Sequence, residues 1–305
     1  MHLRVLGSAA GGGFPQWNCN CSNCDGLRRG SLRAQARTQS SIAVSANGRD
    51  WLLVNASPDI LQQIRATPQL QPARAVRDSG IAAVLLMDAQ IDHVTGLLML
   101  RERQSPLPLL ATREVLSDIG AGFPITKILS HYCGVQPQPI PHDGSAFGVP
   151  GLKGLEIRAV ALSSKPPPYS PFRGAPRPGD NIGIVLQNPA TGARAFYAPG
   201  LGEVTPELQT LMAGCDVVLV DGTFWRADEM QSLGLSEKSA ADMGHLPQSG
   251  PGGMLEHFRR LPARTRKLLI HINNTNPILV EDSAERALLD ELGIEVAHDG
   301  MDIPL

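Results

Sequence analysis

The chain has 305 residues, of which 42% are hydrophobic and 18% charged, and its formal net charge is −2. This composition is typical of a globular protein, and the negative charge and 4% aromatic content argue against nucleic acid as a partner. No apolar run reaches the ~18 residues that a membrane span requires. The first residues enter a strand without a signal-peptide pattern, so we expect a cytoplasmic protein with no membrane span.

The first predicted strand covers Leu3–Gly7, and a cysteine motif follows it. Cys19, Cys21 and Cys24 have C-x-C-x2-C spacing, which brings three thiolates close together. In a reducing compartment this spacing favours a structural zinc ion over a disulfide. We predict a zinc loop at about residues 18–25 with a fourth ligand from elsewhere. Three reduced loop thiols are the alternative.

Two apolar runs separated by Asn-Gly predict a β-hairpin of residues 40–46 and 51–55. A helix is expected next. Ser57 suits the N-cap and Pro58 the first helical position, and the pattern continues to about Arg65.

The central feature of the sequence is a strand, loop and helix pattern that begins at Ile81. Ile81–Met87 is an unbroken apolar run, as in strands buried on both faces, although a buried helix gives the same pattern. Val94–Leu100 reads as an apolar helix. The loop between them supplies four polar side chains: Asp88, Gln90, Asp92 and His93. We expect these side chains to share one cleft at the carboxyl end of the strand.

Further strands and helices alternate in the second half of the chain. We predict strands at 108–110, 155–162, 181–187, 194–198, 217–220, 267–272 and 293–297, and helices at 113–119, 205–212, 253–260 and 281–292. Residues 165–180 contain six prolines and predict a semi-rigid loop beside the cleft, with a proline-rich interaction ligand as the alternative. Two β-rich halves with helices predict one domain over residues 1–305, a four-layer αββα sandwich.

The polar loop resembles the signature of the metallo-β-lactamase superfamily, which normally reads HxHxDH. Asp88 and Gln90 stand where the two leading histidines would be. The resemblance implies that the superfamily's first metal site is dismantled, because its third histidine and bridging aspartate are also replaced. Their expected places fall at residues 163–164 and 199–200.

The same resemblance implies that the second metal site survives, with Asp92, His93 and His271 as ligands. Two histidines and one carboxylate with open positions suit non-haem Fe(II). Zinc accepts the same ligands and often displaces iron during purification. A two-metal centre for hydrolysis is not expected.

Four segments from one end of the chain to the other resemble the coenzyme PQQ synthesis protein B family: GSAAGGGFPQWNCNCSNC, DAQIDHVTGLL, NIGIVLQ and HINNTNP. This resemblance implies a role in making pyrroloquinoline quinone (PQQ) from a Glu-Tyr unit of a precursor peptide. The implied activity is an iron-dependent oxygenase that hydroxylates the tyrosine-derived ring. The alternatives are a non-catalytic carrier or transport-assisting protein for PQQ or its precursor, and a zinc hydrolase of that peptide. Other proteins of the pathway are possible partners.

A PQQ-like ligand carries several carboxylates, so cations are expected to face the cleft. The proline-rich loop offers Lys165, Arg173 and Arg177, and arginine suits planar carboxylates. Solvated loop charges are the alternative. His245, on another long loop, is a candidate acid or base because imidazole exchanges protons near neutral pH.

Three polar residues are expected to support the two metal sites. Asp88 and Gln90 should lie behind the active-site ligands, where they could orient a ligand or a reacting group. Related phosphodiesterases have a histidine at the position of Asn274 that completes the cysteine site. Asn274 is therefore the expected fourth zinc ligand, and a weak one, because an amide oxygen binds zinc poorly.

Overall fold

The structure, a computed structural model, describes all of residues 1–305 and contains two seven-stranded sheets. The first sheet consists of β1 (His2–Gly7), β2 (Ser41–Ser45), β3 (Trp51–Val54), β4 (Ile81–Leu85), β5 (Leu107–Ala111), β6 (Val135–Pro139) and β14 (Asp302–Pro304). Its spatial order is β14-β1-β2-β3-β4-β5-β6. The strands from β3 to β6 are parallel, and the other pairs are antiparallel.

The second sheet consists of β7 (Asp143–Val149), β8 (Leu152–Ala161), β9 (Ile182–Gln187), β10 (Arg194–Ala198), β11 (Val217–Asp221), β12 (Arg266–Ile270) and β13 (Ile294–Val296). Its spatial order is β13-β12-β11-β10-β9-β8-β7. The strands from β10 to β13 are parallel, and the rest are antiparallel. Each sheet therefore combines a parallel half with an antiparallel half.

Ten helices complete the fold: α1 (Ser22–Arg29), α2 (Ile60–Ala66), α3 (Ile91–Val94), α4 (Arg113–Ala121), α5 (Ile125–Leu129), α6 (Pro206–Ala213), α7 (Glu229–Ser232), α8 (Ala240–Met243), α9 (Met254–Arg259) and α10 (Ala284–Glu291). Four of them, α4, α6, α8 and α10, start at a Thr or Ser whose hydroxyl accepts a hydrogen bond from a first-turn N–H. This contact satisfies one of the backbone donors that a helix start leaves unpaired. None of the ten has the length and apolar character needed to cross a membrane.

Three hydrophobic clusters fill the spaces between four layers of helices and sheets. The cluster between the two sheets contains residues of both, such as Leu52 and Leu219. Their neighbours along the strands, Leu53 and Val218, belong to the two clusters between a sheet and its outer helices. Successive side chains of a strand point to opposite faces, so strands buried on both sides read as continuous apolar runs. The predicted αββα sandwich is confirmed.

Two predicted helices differ in the structure. The helix expected to start at Ser57 has Asp59 at its N-cap, and the Ser57 hydroxyl donates instead to Oε1 of Gln63 at 3.1 Å. The apolar helix expected from Val94 is the end of α3 followed by a 3-10 helix, Thr95–Leu100. The chain there packs closely on its neighbour, since a Cβ on Gly96 would lie 2.1 Å from the Ser57 carbonyl oxygen.

The structure also contains strands that were not predicted between residues 124 and 150. β6 includes Pro137 and Pro139, which argue against a strand at the centre of a sheet. It pairs only with β5, and proline is tolerated at a sheet edge because the missing N–H breaks no ladder.

Candidate metal centre

A polar cleft opens at the carboxyl ends of β4, β11 and β12. Its volume is about 280 Å³, and its walls include Asp92, His93 and His271. A larger cavity of about 950 Å³ lies at the opposite ends of β4 and β5, beside Ile81 and Leu107. None of the candidate metal ligands lines that cavity. The smaller cleft is therefore the candidate active site.

The fold brings the three predicted active-site ligands together. Asp92 and His93 lie on α3, and His271 directly follows β12. Oδ2 of Asp92 is 3.3 Å from Nε2 of His271 and 3.8 Å from Nε2 of His93. The backbone of His271 has φ of 59°, a left-handed conformation that non-glycine residues adopt rarely and often at functional sites.

These residues fit a single metal ion. Nδ1 of His93 is 2.8 Å and 2.9 Å from the two carboxylate oxygens of Asp88, which accept its N–H. The other ring nitrogen, Nε2, is buried and has no hydrogen-bond partner. The donor atoms of Asp92, His93 and His271 lie within 4.8 Å of one another. A cation between them would take up the unpaired nitrogen, and Asp88 lies behind the His93 ring, where it would orient that ligand.

The electrostatics of the cluster favour positive charge. Burial by itself raises the pKa of Asp92, but the His93 and His271 rings outweigh it and hold that pKa well below its usual value. Burial lowers the pKa of His93, but the carboxylates of Asp88 and Asp92 raise it to about 9. Two carboxylates thus stabilise a buried cationic ring, and a divalent ion would take the place of the proton.

A second group of polar residues, Asp221 and Thr223 with His245, borders the first. Nδ1 of His245 donates to Oδ2 of Asp221 at 2.6 Å, and Asp221 is fully buried. Burial raises the pKa of Asp221, but His245 lowers it overall. Burial lowers the pKa of His245, but Asp221 raises it overall. This pairing fixes one ring nitrogen of His245 and leaves the other free for the cleft.

Thr223 links this group to the metal ligands. Its hydroxyl donates to the carbonyl of His271 at 2.9 Å and lies 2.9 Å from Nδ1 of the same ring. With its proton given to the carbonyl, the oxygen accepts the Nδ1–H of His271, which leaves Nε2 as the metal ligand. No role for Asp221 or Thr223 was expected from the sequence. The available signal was an Asp-Gly-Thr motif at the end of a buried strand.

Gln90 and Lys165 are joined to each other rather than free in the cleft. Gln90 lines the cleft, and its amide nitrogen donates to the carbonyl of Lys165 at 3.3 Å. The ammonium group of Lys165 donates to the carbonyl of Asp242 at 2.9 Å and does not line the cleft. For Lys165 the expectation of a cleft-facing cation is therefore corrected.

The two arginines of the proline-rich loop differ. Arg173 lines the cleft, and its guanidinium donates to the carbonyl of Pro166. Arg177 does not line the cleft, because Asp180, 2.7 Å away, and the ring of Phe172, 3.6 Å from the guanidinium carbon, hold its side chain. Arg177 is therefore also corrected. Pro168 lines the cleft as well, so the segment is the loop beside the cleft that was predicted.

The cysteine motif forms a compact cluster. The sulfur atoms of Cys19, Cys21 and Cys24 lie within 4.8 Å of one another, and none forms a disulfide. The amide nitrogen of Asn274 lies 3.1 Å, 3.6 Å and 3.3 Å from the three sulfurs. Burial raises the pKa of Cys21 to about 11, so a cation is needed for it to act as a thiolate at neutral pH. A half-turn of the Asn274 amide would point its oxygen at such a cation.

Comparison with known proteins first defines the class. A family model described as a β-lactamase superfamily domain matches residues 50–272. Among solved structures, a diphosphatase from the PhnP family is 16% identical with a TM-score of 0.66, and it covers 100% of this chain and 97% of its own. At this identity the likeness shows only the fold. The two mixed sheets and the cleft at their strand ends define a protein of the metallo-β-lactamase fold.

Closer relatives define the family. Coenzyme PQQ synthesis protein B of Cupriavidus necator is 66% identical over 303 residues, 99% of both chains. The protein of the same name from Azoarcus sp. is 60% identical over the full length of both chains. The crystal structure of Zn²⁺-bound PqqB from Methylobacterium extorquens is 40% identical, with a TM-score of 0.92 over 100% of both chains. The chain belongs to the coenzyme PQQ synthesis protein B family, which confirms the resemblance found in its motifs.

Proposed function

We propose that the chain is a mononuclear Fe(II)-dependent oxygenase of PQQ biosynthesis that hydroxylates the tyrosine-derived ring of the Glu-Tyr precursor. The observation that carries this proposal is the unpaired, buried Nε2 of His93 beside Asp92 and His271. One carboxylate and two imidazoles on one side leave positions for other ligands, a donor set that suits Fe(II). Asp88 and Gln90 replace the two leading histidines of the HxHxDH signature, so the histidine-rich first site of a hydrolytic metal pair is lost.

Asp92, His93 and His271 would hold the metal. Bound Fe(II) would supply the redox chemistry that lets molecular oxygen react with an aromatic ring. Hydroxylation replaces one ring C–H by C–OH with one oxygen atom. The second oxygen atom is reduced to water with two protons and two electrons from an external reductant.

The protein supplies orientation and proton transfer. Asp88 fixes the ring of His93, and Thr223 fixes that of His271. His245 is held through Nδ1 by Asp221, so its Nε2 is the atom that would exchange a proton with a phenolic substrate. This role as acid or base remains the one expected for His245, and Asp221 becomes its positioning residue.

We also propose that Cys19, Cys21 and Cys24 bind a structural zinc ion with Asn274 as the fourth ligand. The close approach of the Asn274 amide to all three sulfurs supports this assignment. Asn274 follows the metal ligand His271 by three residues, so a filled cysteine site would also restrain the active-site strand end. We place the protein in the cytoplasm, with other proteins of the PQQ pathway as partners.

The test compares protein purified without oxygen and loaded with either Fe(II) or Zn(II). Oxygen uptake is recorded with a Glu-Tyr-derived substrate and ascorbate as the two-electron reductant. We expect uptake by the iron form that depends on substrate, and its loss in His93→Ala and Asp92→Ala. His131→Ala, which alters an exposed histidine outside the cleft, should retain it.

Two results would refute the oxygenase. Hydrolysis of the precursor by the zinc form, without substrate-dependent oxygen uptake by the iron form, would favour the zinc hydrolase. Tight PQQ binding without either reaction would favour the carrier.

A further inference from the structure

Asn181 lies one residue before β9 and is one of the residues that line the cleft. The residue is only 5% exposed, and its amide nitrogen is buried without a hydrogen-bond partner. Among the residues that line the cleft, His93 is the only other one with a buried side-chain atom that lacks a partner. A bound metal ion would account for the nitrogen of His93, so the amide of Asn181 needs a separate explanation.

A buried polar group without a partner destabilises a folded protein, and such groups are rare. A metal cannot satisfy this one, because an amide NH₂ group only donates hydrogen bonds. Its partner must therefore be an acceptor atom, and no protein atom provides one to Asn181. Because Asn181 lines the cleft, a molecule that enters the cleft can supply that acceptor.

The backbone around Asn181 is held firmly although its amide is unpaired. The residue forms an isolated β-bridge with Asp88, and its carbonyl accepts the N–H of Leu162 at 2.9 Å. The next residue, Ile182, donates to the carbonyl of Met87 at 3.0 Å. The Asn181 side chain is thus presented from a fixed position beside a residue that orients a metal ligand. Placement on a rigid element suits a residue that must recognise one ligand geometry.

Arg173 is the only lysine or arginine that lines the same cleft. An amide donor and a guanidinium together match an anion with two acceptor oxygens, and the planar fork of arginine fits a carboxylate. The acidic residues Asp88 and Asp92 do not exclude such a ligand, because both carboxylates lie against the His93 ring and a bound metal cation would offset their charge.

We propose that Asn181 and Arg173 form a carboxylate subsite that anchors the substrate beside the metal. The identity of the ligand, a carboxylated PQQ precursor or PQQ itself, rests on the proposed function. In this subsite Asn181 is a specificity residue: a substrate carboxylate would accept the hydrogen bond that the protein leaves unmade.

The test measures binding of PQQ and of its methyl ester to the zinc-loaded, full-length protein by calorimetric titration. Wild type should bind PQQ more tightly than the ester. Asn181→Asp keeps the shape of the side chain but replaces a donor by a negative charge. It should weaken PQQ binding at least tenfold and ester binding by no more than about threefold, because carboxylate repulsion acts only on the acid. Asn188→Asp, a change of a buried asparagine in the turn between β9 and β10, is the matched control and should leave both affinities unchanged.

Asn181→Leu distinguishes a loss of ligand binding from a loss of folding stability. It removes the unpaired donor at similar volume, so its melting temperature should equal or exceed that of wild type while PQQ binding weakens. The subsite is refuted if wild type shows no preference for the acid, or if Asn181→Asp loses affinity for PQQ and ester equally. It is also refuted if Asn181→Leu melts lower but binds PQQ normally. None of these readouts depends on turnover, so the result is independent of the oxygen-uptake assay.

Discussion

The hydrogen bonds between Asp88 and His93 should determine how tightly the cleft binds a metal ion. Asp88 is 4% exposed and accepts the Nδ1–H of His93 with both carboxylate oxygens at 2.8 Å and 2.9 Å. Asp88→Asn keeps one acceptor oxygen but removes the charge. Asp88→Ala removes the acceptor altogether and leaves the ring free to turn. We expect both changes to weaken metal binding, and Asp88→Ala to have the larger effect.

The size of each effect depends on the type of hydrogen bond that the substitution removes. A hydrogen bond to a charged group contributes about 1.5–3 kcal/mol, and a neutral one about 0.5–1.5 kcal/mol. Asp88→Asn should therefore cost about 1.4 kcal/mol, which is about tenfold in affinity. Asp88→Ala also leaves a buried N–H without a partner, so its effect should approach the hundredfold upper end for residues that support metal ligands.

Metal affinity is measured by equilibrium competition with a chromophoric chelator, using Co²⁺ on protein whose cysteine site is already filled with zinc. Thiolate-bound cobalt has a charge-transfer absorption that cobalt on oxygen and nitrogen ligands lacks, so the two sites are distinguished. Asp59→Asn, which alters a carboxylate that binds Gln39, is the control. If Asp88→Ala binds Co²⁺ as tightly as wild type, the orienting role of Asp88 is wrong.

The same geometry supports three further predictions. Cys21→Ser should lower the zinc content by one ion and the melting temperature by several degrees, because metal binding and folding are coupled. Metal analysis and calorimetry measure these two quantities. An unchanged melting temperature would show that the cysteine site is peripheral to folding. Thr223→Val should weaken Co²⁺ binding about 10- to 100-fold while Thr223→Ser retains it, and equal losses in both would mean that the hydroxyl does not orient His271. In the metal-free protein the pKa of His93 is raised from 6.5 to about 9, so its contribution to stability is complete below pH 6.5 and is lost as pH rises through about 9. The melting temperature of metal-free wild type should fall over that range more steeply than that of His93→Gln.

Local patterns in the sequence were enough to predict the layered architecture, although not every strand in it. Ile81–Leu85 and Val217–Val220 are continuous apolar runs, and each lies in a strand buried on both faces. Such a pattern depends only on whether other layers cover both faces of the strand, so it can be recognised without knowing which strands lie beside it. The adjacency of Asp92 and His93 and the spacing of the three cysteines are local in the same sense. The cysteine cluster could therefore be proposed from its spacing, and Asp92 and His93 from their resemblance to the HxHxDH signature.

Long-range contacts could not be predicted this way. His271 meets Asp92 across 179 residues, and its place in the site was inferred only by resemblance to a superfamily. Asp221 and Thr223 acquire a role because parallel β11 and β12 end side by side, so that one hydroxyl reaches the rings of both His245 and His271. The spacing of these residues in the sequence does not indicate that they lie close together in the fold.

Tertiary structure also decided which polar groups are free to bind a ligand. Lys165 and Arg177 look like Arg173 in the sequence, but a backbone carbonyl holds the first and Asp180 the second, and only Arg173 reaches the cleft. Asn181 looks like any residue before a strand, yet its amide is buried in the cleft wall without a partner. The sequence by itself determined which residue types are available. The packing of the two sheets determined which hydrogen bonds and ion pairs the protein makes internally, and therefore which groups remain for a metal or a substrate.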